Sequence, residues 1–220
     1  MINHYKNNPT YENIDDILSP ELFDDAYLSI KNWTDYAPTP LIKLSNLASD
    51  LDIGEILYKD EGHRFGLKSF KALGGGYAVI KVLKDHLSVK YPGVNILDND
   101  LKTGKYVDDL KDFTVVTATD GNHGRSVAWG AKECGINCKI YMHKGVSESR
   151  GIAVELLGAE VTWVDGNYDD SLHKVKRDAI ENFWHIISDT SYIGYMYVPK
   201  FVMAGYSVMT TEIVDQLEAS

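Results

Sequence analysis

Lys71, in the run Ser69-Phe70-Lys71, stands where an extended segment gives way to a helix opening with Leu73-Gly74-Gly75-Gly76. A lysine so placed suits a flat, anionic cofactor and a Schiff base with its aldehyde, provided the amine is neutral. Burial supplies that condition, because desolvation lowers the pKa of an ammonium. Lys71 is one of 22 basic residues, and taken alone it reads as an ordinary surface lysine; its surroundings reverse that reading. A second stretch, Thr117-Ala118-Thr119-Asp120-Gly121-Asn122-His123-Gly124-Arg125, joins a predicted strand to a predicted helix. Open α/β sheets bind ligands there, beyond the carboxyl end of a strand and at a helix N-terminus. Free backbone amides can hold a carboxylate, Gly121 and Gly124 permit close approach, and Asn122 offers an amide to a phenolic oxygen or a carbonyl. Asp120 could cap the helix and complement its dipole, or move a proton or hold an ammonium. An Asp/Asn/Gly turn is common, so on this stretch alone the two readings weigh equally. His123 receives no chemical role from its type and position.

The elements that must carry these residues follow from periodicity. Residues 1–40 read as polar and turn-rich, ending in the extended Ala37-Pro38-Thr39-Pro40-Leu41. Glu55 to Lys59 predicts a short strand. Phe70, Leu73, Tyr77, Ile80 and Leu83 share one helical stripe between residues 70 and 84. The glycine triplet weakens that helix in isolation but admits close approach of another element or a ligand. Residues 91–112 show turn signals, many charges and no period, as an insertion would. From residue 113 strand and helix alternate: strands at 113–118, 136–142, 159–164 and 185–188, helices at 124–134, after Ser147 as far as Gly158, and along Leu172, Val175, Ala179 and Phe183. A last amphipathic helix, residues 201–217, places Val202, Gly205, Met209, Ile213 and Leu217 on its buried stripe. The alternation predicts an α/β fold with an open parallel sheet and flanking helices.

Composition narrows the partners. The formal charge of −10 argues against a nucleic-acid footprint. No apolar run is long enough to span a bilayer. The N-terminal Met1 to Asn8 lacks the apolar core of a secretory signal, which makes cytoplasmic residence the default. Cys134 and Cys138 are not expected to pair in a reducing compartment, and no residues make a metal-ligand pattern. No G-x-G-x-x-G follows the first regular strand, which disfavours a dinucleotide module.

Together, S-F-K and T-D-G-N-H-G resemble the fold-type-II enzymes that use pyridoxal 5'-phosphate, a group holding threonine dehydratase, serine dehydratase, threonine synthase and cysteine synthase. Within it the chain is most similar to the diaminopropionate ammonia-lyase family. Arg64-Phe65-Gly66-Leu67, Asp165 to Asp170, Asp189-Thr190, Gly194-Tyr195 and Met203-Ala204-Gly205-Tyr206 carry the likeness further. Related dehydratases usually have serine where Asp120 stands. The resemblance implies that Lys71 forms the Schiff base, that Asn122 contacts the cofactor's phenolate oxygen, and that the loop Thr119, Asp120, Gly121, Asn122, His123 holds the substrate carboxylate. It implies Asp120 as a catalytic acid–base group and Asp189 beside the substrate, a small amino acid. The implied reaction is α,β-elimination of 2,3-diaminopropionate to pyruvate and ammonia, by a homodimer.

The family also carries a glycine-rich phosphate loop and a partner for the pyridine nitrogen. Neither is visible in these 220 residues, so the expectation is an N-terminal fragment that binds cofactor poorly. The expected division is 1–84, an N-terminal segment and the start of the cofactor domain; 85–200, a smaller α/β domain; and 201–220, a helix returning to the cofactor domain. Two other readings stand beside it: a threonine or serine dehydratase, disfavoured by Asp120, and a non-catalytic truncated product or interaction module.

Overall fold

The computed structural model describes residues 18–218; Met1 to Asn8, with the expected lack of a leader, lie outside them. Ser19 caps α1 (Pro20–Lys31), its Oγ accepting from the Leu22 amide, and Pro20 takes the first turn, where its missing N–H is no loss. This helix corrects the expectation of a turn-rich region through residue 40. Its buried Ala26 and Ile30 lie one turn apart amid acids that mask the stripe. β1 (Leu41–Lys43) and β2 (Leu57–Lys59) pair antiparallel around α2 (Ser45–Asp50). A 3₁₀ segment, Glu61–Gly66, leads to α3 (Lys71–Lys90).

Residues 91–112 are not a plain insertion. They hold α4 (Asp98–Lys102) and α5 (Val107–Leu110), and Leu101, Tyr106 and Leu110 are buried in the main core. Helices of five and four residues are too short to show a period.

Beyond them the predicted alternation is present as β3 (Thr114–Ala118), α6 (Asn122–Glu133), β4 (Asn137–His143), α7 (Glu148–Glu155), β5 (Glu160–Val164), α8 (Tyr168–Asn182) and β6 (His185–Ile186). The four strands are parallel in the order β5-β4-β3-β6. β3 is buried at every position, as suits a central parallel strand covered on both faces. The chain steps from β3 outward to β4 and β5, then returns to the other side of β3. That reversal is where such sheets open a ligand crevice.

Two stripe assignments change. Phe183 is the left-handed C-cap of α8 (φ 58°) and 89% exposed, so the buried face of that helix runs through Ser171, Val175 and Ala179. Helix α9 (Tyr197–Glu218) begins a turn earlier than expected and buries Phe201, Val202, Ala204, Gly205, Val208 and Glu212, with Leu217 outside the stripe.

The glycines serve helix packing. A Cβ on Gly74 would lie 2.3 Å from Tyr206 Cε1 and 2.6 Å from the Val202 carbonyl; on Gly75 it would lie 1.9 Å from Ser126 Oγ. Without side chains there, α6 and α9 close directly on the first turns of α3, and Lys71 stands at its N-terminus. No described helix is long and apolar enough to cross a membrane.

Candidate active site

At the carboxyl ends of β3 and β6, on either side of the strand reversal, two loops face each other. One follows β3 and carries Thr119 to Asn122; the other follows β6 and carries Ser188 and Asp189. Between them opens a cavity of about 560 Å³ that Lys71, Thr119, Asp120, Gly121, Asn122, His123 and Asp189 all line. Every site residue singled out from the sequence therefore meets in one place, although Asp189 is 118 positions from Lys71.

The turn after β3 is built by Thr119. Its buried Oγ1 accepts from the amides of Gly121 (3.0 Å) and Gly124 (3.1 Å), so Thr119 caps α6 and Asp120 does not. Two of the turn's amides are thus committed internally, fewer than the sequence promised to a ligand. Gly124 serves this packing, since a Cβ there would lie 2.3 Å from Thr119 Cγ2. Asp120 is exposed at the cavity, its Oδ1 3.2 Å from His143 Nε2, and its carbonyl accepts from Arg150 Nη1 at 2.7 Å. Asn122 is the first residue of α6, exposed at the rim.

Lys71 Nζ donates to Asp189 Oδ2 at 2.5 Å, with the lysine side chain 29% exposed. It is a half-buried lysine paired with a carboxylate, where the sequence reading invoked a buried one. Burial pushes the Asp189 carboxyl up, but a charge on His123 and the hydrogen bond and charge of Lys71 outweigh it and hold it below the ordinary value. Burial also pushes the His123 imidazole below its ordinary value, so the ring is neutral near pH 7 and the Lys71 contact is what remains to hold Asp189 down. The rings of Phe70 and Tyr206 meet edge to face, and the Tyr206 ring lies 5.5 Å from Nζ.

Sequence reasoning missed the remaining walls: Arg125, Ser149, Arg150, Ala153 and Tyr168. Ser149 and Arg150 follow β4 and Tyr168 follows β5, so the rule that pointed to Thr119 applies equally to those strand ends. It also missed the anchor of the Lys71 segment. Arg64 donates to Glu61 and to Glu212 on α9 from 2.7 to 2.8 Å, and Lys59 Nζ reaches Glu212 Oε2 at 2.8 Å. Arg125 Nη1 donates to the Leu67 carbonyl at 3.1 Å. Between these ties Phe65, Gly66 and Lys68 all take positive φ. One sequence signal for this anchor was an acid, Glu212, on the otherwise apolar buried face of α9.

An open parallel sheet with a lysine, two acids and a helix-terminal turn converging at its strand reversal defines an α/β ligand-binding domain of enzymatic type. Residues 33–220 match the family described as pyridoxal-phosphate dependent enzyme, and the chain belongs to that family. It is 42% identical over 187 residues to diaminopropionate ammonia-lyase of Salmonella typhimurium, covering 85% of this chain and 46% of that protein. An L-threonine dehydratase of Staphylococcus aureus is 27% identical over 194 residues, with 88% and 46% covered. Escherichia coli diaminopropionate ammonia-lyase, solved in complex with an aminoacrylate-PLP azomethine reaction intermediate, superposes with a TM-score of 0.81 at 36% identity, covering 92% of this chain and 50% of that one. The chain spans about half the length of the curated relatives it matches.

The cavity suits the family's cofactor. Its volume falls in the range that holds small ligands, roughly 300–1,000 Å³. Three buried polar atoms have no protein partner among the described residues: His123 Nδ1, Arg125 Nε and the Tyr206 hydroxyl. His123 and Arg125 line the cavity, and Tyr206 lies against Lys71. An amine, unspent polar atoms and a cationic wall are what an anionic aldehyde requires.

Proposed function

We propose that the chain carries the lysine-bearing part of an enzyme that eliminates ammonia from 2,3-diaminopropionate, leaving pyruvate and a second ammonia. The observation that carries this reading is the meeting of Lys71 and Asp120 at one cavity in a chain similar to diaminopropionate ammonia-lyases. Lys71 and Asn122 would hold pyridoxal phosphate. When bound, that group supplies an aldehyde for amines and a conjugated ring that accepts the electron pair left by the α-proton. Thr119, Gly121, Asn122 and His123 form the turn that receives the substrate carboxylate. Asp120, exposed at the rim, takes the α-proton on one face, and Lys71 serves the other. Asp189, held ionised, orients the Lys71 amine and the substrate ammonium.

The packing of α1 and α3 against α9 supports grouping the described part of residues 1–84 with that of 201–220, while α3 packs as closely on α6 of the 85–200 unit. Cytoplasmic residence and a homodimer complete the reading. Cys134 and Cys138 are buried and free, with burial pushing both thiols up to about 12, which suits a reducing compartment. The dimer rests on family resemblance, and sedimentation velocity tests it.

The deciding experiment adds pyridoxal phosphate, reduces with borohydride and maps the adduct. Labelling of Lys71, with ammonia released from 2,3-diaminopropionate ahead of threonine and serine, is the expected result. A chain that takes no label is a non-catalytic product; a labelled chain that prefers threonine is a dehydratase, the reading favoured by the 27% identical relative.

A further inference from the structure

Lys71 Nζ and His123 Nδ1 approach the same carboxylate oxygen, Asp189 Oδ2, at 2.5 Å and 3.7 Å. The imidazole is fixed from its far side. Nε2 lies 2.8 Å from the Ile187 carbonyl oxygen, an acceptor only, so Nε2 carries the hydrogen and donates. Nδ1 is then a bare lone pair, and it is buried without a protein partner. The ring is 4% exposed, so bulk water does not satisfy it. A buried acceptor left open beside an ammonium–carboxylate pair calls for an explanation.

The chemistry proposed above supplies one. An ammonium has no lone pair with which to attack a carbonyl, so Lys71 must first lose a proton. We propose that His123 is the acceptor of that proton, reached through Asp189. The N–H bond breaks at Lys71, the proton passes by way of Asp189 Oδ2, and an N–H bond forms at His123 Nδ1. Ammonium, carboxylate and neutral ring become amine, carboxylate and imidazolium; charge is conserved and no electron is gained or lost. Asp189 must close from 3.7 Å to about 2.8 Å from Nδ1 for a hydrogen bond. His123 acts through Asp189 and is a positioning, proton-holding residue. The inference rests on the reading that Lys71 meets an aldehyde.

Loss of the Lys71 charge eases protonation of the ring, while burial continues to oppose it. Burial holds the ring neutral, and the Lys71 charge adds to that effect, while Asp189 and the Ile187 carbonyl oppose it. Once Lys71 is neutral, one of the two effects against the imidazolium is gone. The charged and titratable groups around this trio are Tyr206 from α9 and Tyr168 from α8, with Asp120, Arg125 and Arg150 also lining the cavity.

The test follows His123 by NMR in the full chain labelled at histidine, with its signal assigned by loss in His123→Gln. Replacing Lys71 with Met should raise the half-titration pH of His123 by about one pH unit, and adding Asp189→Asn should cancel the rise. An unchanged titration in folded K71M overturns the proposal. The second readout is the rate of imine absorbance on mixing with pyridoxal 5'-phosphate. His123→Gln keeps a donor for the Ile187 carbonyl but removes Nδ1, so imine formation at pH 7 should slow about tenfold and its pH profile should move upward. An identical profile shows water to be the acceptor and overturns the proposal, and this comparison decides if K71M does not fold. A wild-type chain that forms no imine sinks the proposed function, and the titration still decides the handover.

Discussion

Two charged clusters, around Arg64 and around Lys71, use similar residue types and differ in how fully they are satisfied. The Arg64 side chain is 1% exposed, and every one of its guanidinium nitrogens donates, to Glu61, Glu212, Thr39 or Ala37. Lys71 is 29% exposed with one carboxylate partner, and a buried imidazole acceptor beside that partner is left open. A saturated buried network fixes geometry; an unsaturated one at a cavity has capacity for a ligand. The left-handed residues Phe65, Gly66 and Lys68 lie on the short segment that connects the two.

The comparison breaks most readily at Glu212. Glu212→Ala should leave the buried guanidinium of Arg64 with Glu61 as its one carboxylate and Lys59 with neutral acceptors only, and lower stability by about 3–5 kcal/mol, read by urea denaturation. A loss under about 1 kcal/mol would show the Arg64 cluster to be no more structural than a surface pair. Gly75→Ala tests the packing that places Lys71. A methyl 1.9 Å from Ser126 Oγ should cost about 1–3 kcal/mol, with partial recovery on adding Ser126→Gly.

Acid sharpens the contrast next. Burial pushes Glu212 up, but the hydrogen bonds and charges of Arg64 and Lys59 hold it below the ordinary carboxylate value; Lys84, Ser29 and Trp33 likewise outweigh burial at Asp98. A carboxyl depressed on folding adds stability that is complete above its unfolded value, about 4, and is lost as pH falls through the lower folded value. Melting temperature should therefore fall below that pH, and Glu212→Gln should flatten the fall. Asp189→Asn is the smallest expected effect on stability. Its pair opens on the cavity, with side chains 29% and 18% exposed, so the loss should stay under about 1 kcal/mol while borohydride trapping at Lys71 drops sharply. A large stability loss without a trapping defect would erase the distinction between the clusters.

Much of this was readable along the chain because its causes are local. Apolar β3 and the stripe of α3 follow from neighbours a few positions apart, and the strand-to-helix turn marked Thr119 to His123 as a candidate ligand loop, equally readable as an ordinary turn. Features too short to show a repeat, such as α4 and α5, or hidden among acids, such as α1, were not.

The sequence by itself determined the alternating architecture, marked Lys71 and Asp120 as candidates for chemistry, and carried the kinship that its motifs imply. Tertiary structure alone decided that Thr119, and not Asp120, caps α6, that Arg64 is locked by Glu212, and that Lys71 is paired with Asp189 beside an open His123 nitrogen. The reason is physical. Periodicity and turn chemistry act between near neighbours, whereas ion pairing and burial depend on which distant segments the packing of α3, α6 and α9 brings within a few ångströms.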